Sequence, residues 1–231
     1  MNLLQSHDHN QLTKFEWLIG VDEAGRGCLA GPVMAGACLL GRTFFESAEA
    51  IELSVAINDS KQLSAQERTT QFSVIKSLRD QGLLDFEVAS GSVEEIETFN
   101  ILGATRLAMQ RAIEGLAVRA SNLELPPDAI DGPLFQSTNR LCILVDGRPL
   151  KPFPYAHTGL VKGDGKSLAI AIASIAAKVV RDQKMTEFAK KHPEYFFEKH
   201  KGYGTALHRT ALRKHGALTI HRKLFLQKIL P

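Results

Sequence analysis

Two apolar runs in this chain close on acids. Leu18-Ile19-Gly20-Val21 leads into Asp22-Glu23, and Cys142-Ile143-Leu144-Val145 leads into Asp146. Both runs have the composition of buried strands, and sites in α/β sheets form at the ends of neighbouring strands. A single acid at a strand end is ordinary as a turn residue or helix cap; two such ends, each with glycine nearby, point to a shared site. A third acidic element falls on an expected helix. Ser174, Lys178 and Asp182 are spaced by four, so they share a face that drifts by about 40° per step. Taken alone, that spacing describes a surface Lys–Asp pair equally well.

Acids gathered in one place need a counter-charge. Two carboxylates ~4 Å apart repel by about 4 kcal/mol at an effective dielectric of ~20, so a cluster of four either protonates or binds a cation. All-oxygen ligands favour Mg²⁺ or Mn²⁺ over zinc. Two such ions can activate water, polarise a phosphate and stabilise a leaving oxygen.

Other motifs fail on inspection. Gly25-Arg26-Gly27-Cys28-Leu29-Ala30 fits the G-x-G-x-x-A dinucleotide fingerprint. However, Pro32 falls in the first turns of the helix it requires, and the preceding acids would repel a pyrophosphate. Gly163-Asp164-Gly165-Lys166-Ser167 resembles a phosphate loop, but Leu160 stands where the first glycine belongs. The histidines form no H-E-x-x-H pair, and no serine or cysteine sits in a nucleophile-elbow pattern.

The elements that must position these residues follow from patterning. Trp17–Val21 and Val33–Leu40 read as strands across a Gly-rich turn, and residues 41–63 as loop and a short helix. Ser64-Ala65-Gln66-Glu67 and Ser92-Val93-Glu94-Glu95 are capping boxes, in which hydroxyl and carboxylate satisfy free backbone N–H groups. The first predicts a helix to about Arg79, with Gly82 past its end. Leu84–Ala89 reads as a strand, followed by a helix or helix pair. Residues 121–140, with Pro126, Pro127, Gly132 and Pro133, read as an irregular loop. Leu141–Val145 is a continuous apolar strand. Gly165 or Ser167 opens a long helix to about Lys190, and His192–Pro231 reads as short basic helices. Such an order predicts an α/β fold, a mixed sheet flanked by helices. Residues 1–15 are polar and are expected to be flexible.

Bulk properties narrow the classes. The 231 residues are 44% hydrophobic and 23% charged, which suits one globular domain with an appendage. No apolar run reaches the ~18 residues of a membrane span, and the N-terminus lacks the basic start and apolar segment of a secretory leader. Three cysteines, Cys28, Cys38 and Cys142, fit no zinc spacing. They suit a reducing compartment, so a cytoplasmic location is expected. The net charge of +3 hides an asymmetry. Residues 1–161 hold 13 Lys and Arg against 20 Asp and Glu, whereas residues 162–231 hold 15 against 5. Either a polyanionic partner or a well-solvated helical surface accounts for that basic third.

The stretch Gly20-Val21-Asp22-Glu23-Ala24-Gly25-Arg26-Gly27-Cys28-Leu29-Ala30-Gly31-Pro32-Val33 resembles the signature of the type 2 ribonuclease H family, bacterial ribonuclease HII in particular. The similarity continues in order through Asp59-Ser60-Lys61-Gln62-Leu63-Ser64, Val145-Asp146-Gly147, Lys162-Gly163-Asp164 and Ala173–Asp182. It ends with His200–Thr205 and His215-Gly216, covering roughly residues 17–222. The resemblance implies a ribonuclease H-like catalytic domain over 16–190 and a small helical C-terminal extension over 191–231. It implies an enzyme using two Mg²⁺ or Mn²⁺ ions to cut 5′ of a ribonucleotide, leaving 3′-hydroxyl and 5′-phosphate ends. The implied substrates are RNA–DNA hybrids and single ribonucleotides in duplex DNA, with no obligate protein partner and a monomeric state.

Carried over by position, Asp22, Glu23, Asp146 and Asp182 are the implied metal-binding carboxylates, with Asp182 at the more mobile ion. Gly25, Arg26 and Gly27 correspond to the element that reads the ribonucleotide. Tyr203 corresponds to a tyrosine that senses the RNA–DNA junction, although a core tyrosine between two glycines is the alternative. Ser60, Lys61, Lys162, Ser174 and Lys178 are implied phosphate contacts or site supports, and Lys178 could equally orient the carboxylates. The chain departs from the family pattern in the length of 121–140, in Gln62 and in the tail around His221–Phe225. Gln227–Leu230 lacks the paired aromatics of a clamp-binding peptide. Two rivals remain, a non-catalytic nucleic-acid binder and another nuclease of the same broad fold.

Overall fold

The structure is a computed structural model describing residues 1–58, 63–120, 123–128, 140–227 and 229. Its centre is a five-stranded mixed sheet. In chain order the elements begin with α1 (Leu3–Leu12), β1 (Trp17–Ala24), β2 (Val33–Gly41), α2 (Arg42–Glu46), α3 (Ala48–Ser54), α4 (Ala65–Asp80), β3 (Leu84–Gly91) and α5 (Val93–Arg119). They continue with β4 (Leu141–Asp146), β5 (Thr158–Leu160), α6 (Leu168–Lys191), α7 (Phe197–His200), α8 (Ala206–His215) and α9 (Lys223–Leu226). The strands lie in the order β3-β2-β1-β4-β5. β1 runs antiparallel to β2 and parallel to β4, with Val21 opposite Val145.

Alternation along β1 sends side chains to two cores. Leu18 packs under α6, with Cys38, Leu40 and Leu144. Ile19 and Val21 pack under α5, with Ala35, Ala37 and Ile143. Two glycines let α6 lie almost on the sheet backbone. A Cβ on Gly20 would stand 2.3 Å from the Ala169 carbonyl carbon, and one on Gly36 would stand 2.2 Å from the Ala173 oxygen. Close approach of this kind is what glycine opposite alanine permits.

The helix starts match the local chemistry of the sequence. Ser64 and Glu67 form one reciprocal capping box and Ser92 and Glu95 another. Ser167 caps α6. α5 is two helices joined at Asn100, where φ is 59° and the side-chain oxygen accepts from the Leu102 and Gly103 N–H groups.

The N-terminal segment, expected to be flexible, is helical. Residues 3–12 form a helix with its own capping box, Asn2 with Gln5. Asp8, fully buried, accepts hydrogen bonds from the Ser167 hydroxyl (3.0 Å) and the Ala169 N–H (2.8 Å). A carboxylate is thereby placed at the positive end of α6. The helix is held by Leu4 and Leu12, buried in the α6-side core, and by this polar contact, which hydrophobic patterning does not show. Among the described residues of 41–63 there are two helices, α2 and α3, where one was expected. The tail does form short helices, packed on Met185 and Ala189 of α6 and on Leu29 and Ala30. Among the described residues no helix is long and apolar enough to cross a membrane. The loop expected over 121–140 lies largely outside the described residues.

Candidate active site

Parallel pairing of β1 and β4 sets Asp22 and Asp146 side by side at the same sheet edge. A third acid joins them. After β5 the chain makes a 3-10 turn at Gly163–Gly165, and Asp164 lies in it. One carboxylate oxygen from each of Asp22, Asp146 and Asp164 lies within 4.8 Å of the others. Asp22 and Asp164 are buried and Asp146 is half-buried.

The acids are held by backbone and by a hydroxyl. Asp146 Oδ1 accepts from the Gly163 N–H at 2.6 Å, tying the 3-10 turn to β4. Asp22 Oδ1 accepts from the Glu23 N–H at 2.7 Å. Ser174 also bonds the Asp22 carboxyl, reaching it because α6 sits so low on the sheet. Asp22 Oδ2 has no hydrogen-bond partner among the described residues although it is buried. Burial, then the charges of Glu23 and Asp146, hold the Asp22 carboxyl well above the usual carboxylate range. A buried acid perturbed by burial and by specific charged neighbours marks a candidate functional site.

Asp182 and Glu23, expected with these acids, are not among the three that close on one another. Asp182 is eight residues past Ser174, about 12 Å along the helix axis. Its carboxylate accepts from Lys178 Nζ at 2.7 Å. Glu23 follows Asp22 on the strand and therefore points to the opposite, α5-facing side. There it pairs with Arg26 at 2.9 Å and lines a cleft with Arg106, Asp146, Arg148 and Lys151. Asp164 is thus a third acid of the cluster that the sequence reading did not name, and Asp182 is not one of these three. The signal for Asp164 was present in Lys162-Gly163-Asp164, but a three-residue strand and a single turn carry no periodicity to mark it.

Family membership is decided by comparison with known proteins. Residues 19–228 match the family profile described as Ribonuclease HII. The chain belongs to the ribonuclease HII family. It is 42% identical over 221 residues to the ribonuclease HII of Fusobacterium nucleatum, covering 94% of this chain and 89% of that protein. It is 44% identical over 212 residues to the one from Thermotoga petrophila, covering 92% and 74%. The fold is similar to the crystal structure of ribonuclease H2 from Pyrococcus horikoshii, with a TM-score of 0.62 and 23% identity over 92% of this chain and 96% of that one.

The other expected positions spread around the ribonuclease HII acids. Gly25 takes φ of 92° at the end of β1, and Arg26 and Gly27 are exposed. Lys162 is exposed, in a left-handed conformation just before the 3-10 turn. Tyr203 is 41% exposed, which removes the core-tyrosine alternative. Its ring lies 5.5 Å from Lys178 Nζ and 5.9 Å from the Arg181 guanidinium, and its hydroxyl bonds Cys28. Ser60 and Lys61 lie outside the described residues.

Proposed function

We propose that this protein is a divalent-metal-dependent endoribonuclease that hydrolyses the RNA strand of RNA–DNA hybrids and nicks duplex DNA 5′ of single ribonucleotides, leaving 3′-hydroxyl and 5′-phosphate ends. The observation that carries this reading is the cluster of Asp22, Asp146 and Asp164, with a buried, unpartnered oxygen on Asp22, in a chain of the ribonuclease HII family.

The donor set fits a hard divalent cation. Three carboxylates offer only oxygen, the ligand type of Mg²⁺ and Mn²⁺, and the orphaned oxygen and raised Asp22 pKa both call for positive charge. We assign the holding residues as Asp22, Asp146 and Asp164, with Glu23 at the rim. Two ions bound there would supply an activated water and charge stabilisation for phosphodiester hydrolysis.

The chain's own groups do the rest. Ser174 and the Gly163 N–H hold Asp22 and Asp146 in place. The loop Gly25-Arg26-Gly27, exposed at Arg26 and Gly27, would offer backbone close to the sugar, where a 2′-hydroxyl separates RNA from DNA. Tyr203 presents an exposed ring on the same side of the molecule as Lys178. Lys162 is free to meet phosphate, whereas Lys178 serves to orient Asp182.

The test is cleavage of three labelled duplexes, an RNA–DNA hybrid, a DNA duplex with one ribonucleotide and an all-DNA duplex, with Mg²⁺, Mn²⁺ or EDTA. The expected result is metal-dependent cutting of the first two only. Binding without cutting would favour a non-catalytic binder, and cutting of all-DNA would favour another nuclease of this fold.

A further inference from the structure

Two arginines of this molecule are wholly buried, and both spend their guanidinium groups on one loop. Arg222, just before α9, donates from Nε to the Gly31 carbonyl at 2.9 Å. Its two terminal nitrogens donate to the Arg26 and Gly25 carbonyls, each at 2.8 Å. Arg181 on α6 donates to the carbonyls of Pro32 and Ala30, each at 3.1 Å, and of Lys201 at 2.9 Å. Among the described residues Arg222 forms no ion pair. A buried cation met only by carbonyl dipoles and the Phe225 ring, 5.5 Å away, is costly to desolvate, so its retention calls for a reason beyond packing.

That reason lies in the peptide planes. Each trans peptide points its N–H opposite to its C=O. With the Gly25 and Arg26 carbonyls turned inward to Arg222, the Arg26 and Gly27 N–H groups face away from it. Neither N–H has an acceptor among the described residues, and both residues are exposed. The tail also pairs with the loop directly, through Arg222 N–H to the Leu29 carbonyl and Gly31 N–H to the Ile220 carbonyl, both 2.8 Å.

We propose that Arg222 is a positioning residue for the Gly25–Gly27 loop, and that the C-terminal segment thereby sets how the enzyme presents its backbone donors to the ribonucleotide. This rests on the reading of that loop as the ribonucleotide-sensing element. The fork of Arg222 holds the two carbonyls in one orientation, and a lysine cannot reproduce it. Arg181 braces the other end of the loop and links it to the segment carrying Tyr203.

The experiment measures cleavage of the duplex with one ribonucleotide by wild type, Arg222→Lys and Arg222→Ala. Each variant is also checked for its circular-dichroism spectrum and its Mn²⁺ titration midpoint. Wild type must first nick that duplex 5′ of the ribonucleotide; if it does not, the loop reading itself fails. Given that it does, Arg222→Lys should lose about 10²-fold in kcat, as a misplaced reacting group does. KM and the Mn²⁺ midpoint should stay close to wild type. Ethylguanidinium, but not ethylammonium, should restore kcat to Arg222→Ala. If the alanine variant lacks the native spectrum, Arg222→Lys carries the test alone. A folded Arg222→Lys with unchanged kcat overturns the proposal. So does a loss confined to KM, or rescue of Arg222→Ala by either cation alike.

Discussion

Asp164 and Asp182 make the sharpest contrast between neighbouring acids. One oxygen of Asp164 lies within 4.8 Å of one oxygen each of Asp22 and Asp146, while Asp182 accepts from Lys178 Nζ at 2.7 Å. Asp164→Asn removes a charged donor from the centre, so kcat should fall on the order of 10²–10³-fold, the equivalent of several kcal/mol. Asp182→Asn alters only a neighbour, and its loss should stay within about tenfold, the lower range for supports of a metal site. Mn²⁺ titrations of both variants check the ranking, and a larger effect from Asp182 would reverse the ligand assignment. Asp22 and Asp146 could be read from sequence because each closes an apolar strand. Asp164 stood in the matched Lys162-Gly163-Asp164 motif, but a single 3-10 turn leaves no periodicity to mark it. The four-residue spacing of Ser174, Lys178 and Asp182 identifies a helix face without its length: Ser174 reaches Asp22, and Asp182 lies two turns beyond Ser174.

Helix α6 is the element on which the site leans, and its N-terminus is tied down from afar. Asp8→Ala would strip the buried Ala169 N–H and Ser167 hydroxyl of their acceptor. A loss of about 1–3 kcal/mol is expected from chemical denaturation; no loss would mean that α1 is a passive passenger. Patterning identified the capping boxes because they are local, and missed this cap because its partners are far apart in sequence. The C-terminal helices depend on histidines instead. His221 Nδ1 accepts from the Leu218 N–H, so its Nε2 carries the proton and donates to His208 Nε2 at 3.1 Å; His208 Nδ1 then donates to the Tyr203 carbonyl. Both rings must be neutral for this chain to close, and burial pushes each pKa down to about 4. In the unfolded chain they titrate near 6.5. Between those values the unfolded state binds more protons, so stability is full above about pH 6.5 and is lost as pH falls towards 4, by roughly several kcal/mol. Melting temperatures across that range should show the decline in wild type and a shallower one in His208→Gln. Equal slopes would mean that other groups govern acid lability.

At the scale of the whole molecule, charge is divided rather than balanced. Residues 1–161 carry a net −7 and residues 162–231 a net +10. Two of the three clustered acids come from β1 and β4, and α6 with the tail carries the excess of positive charge. A mixed sheet flanked by helices could be inferred from strand and helix alternation, but the meeting of the tail with the loop from Gly25 to Pro32 could not, since backbone carbonyls held by Arg222 leave no mark in composition. A polyanion should therefore be drawn by the basic part while the bare carboxylates repel it. Asp146→Asn in EDTA should bind an RNA–DNA hybrid at least as tightly as wild type, because one repulsive charge is gone. Its affinity should fall about 10²-fold between roughly 50 and 200 mM salt, a log–log slope near −3, as expected where a few phosphates are neutralised and counterions released. Fluorescence anisotropy against a labelled hybrid measures both. A slope shallower than about −1 would assign binding to uncharged contacts, and the basic third of the chain would then be only a solvated surface.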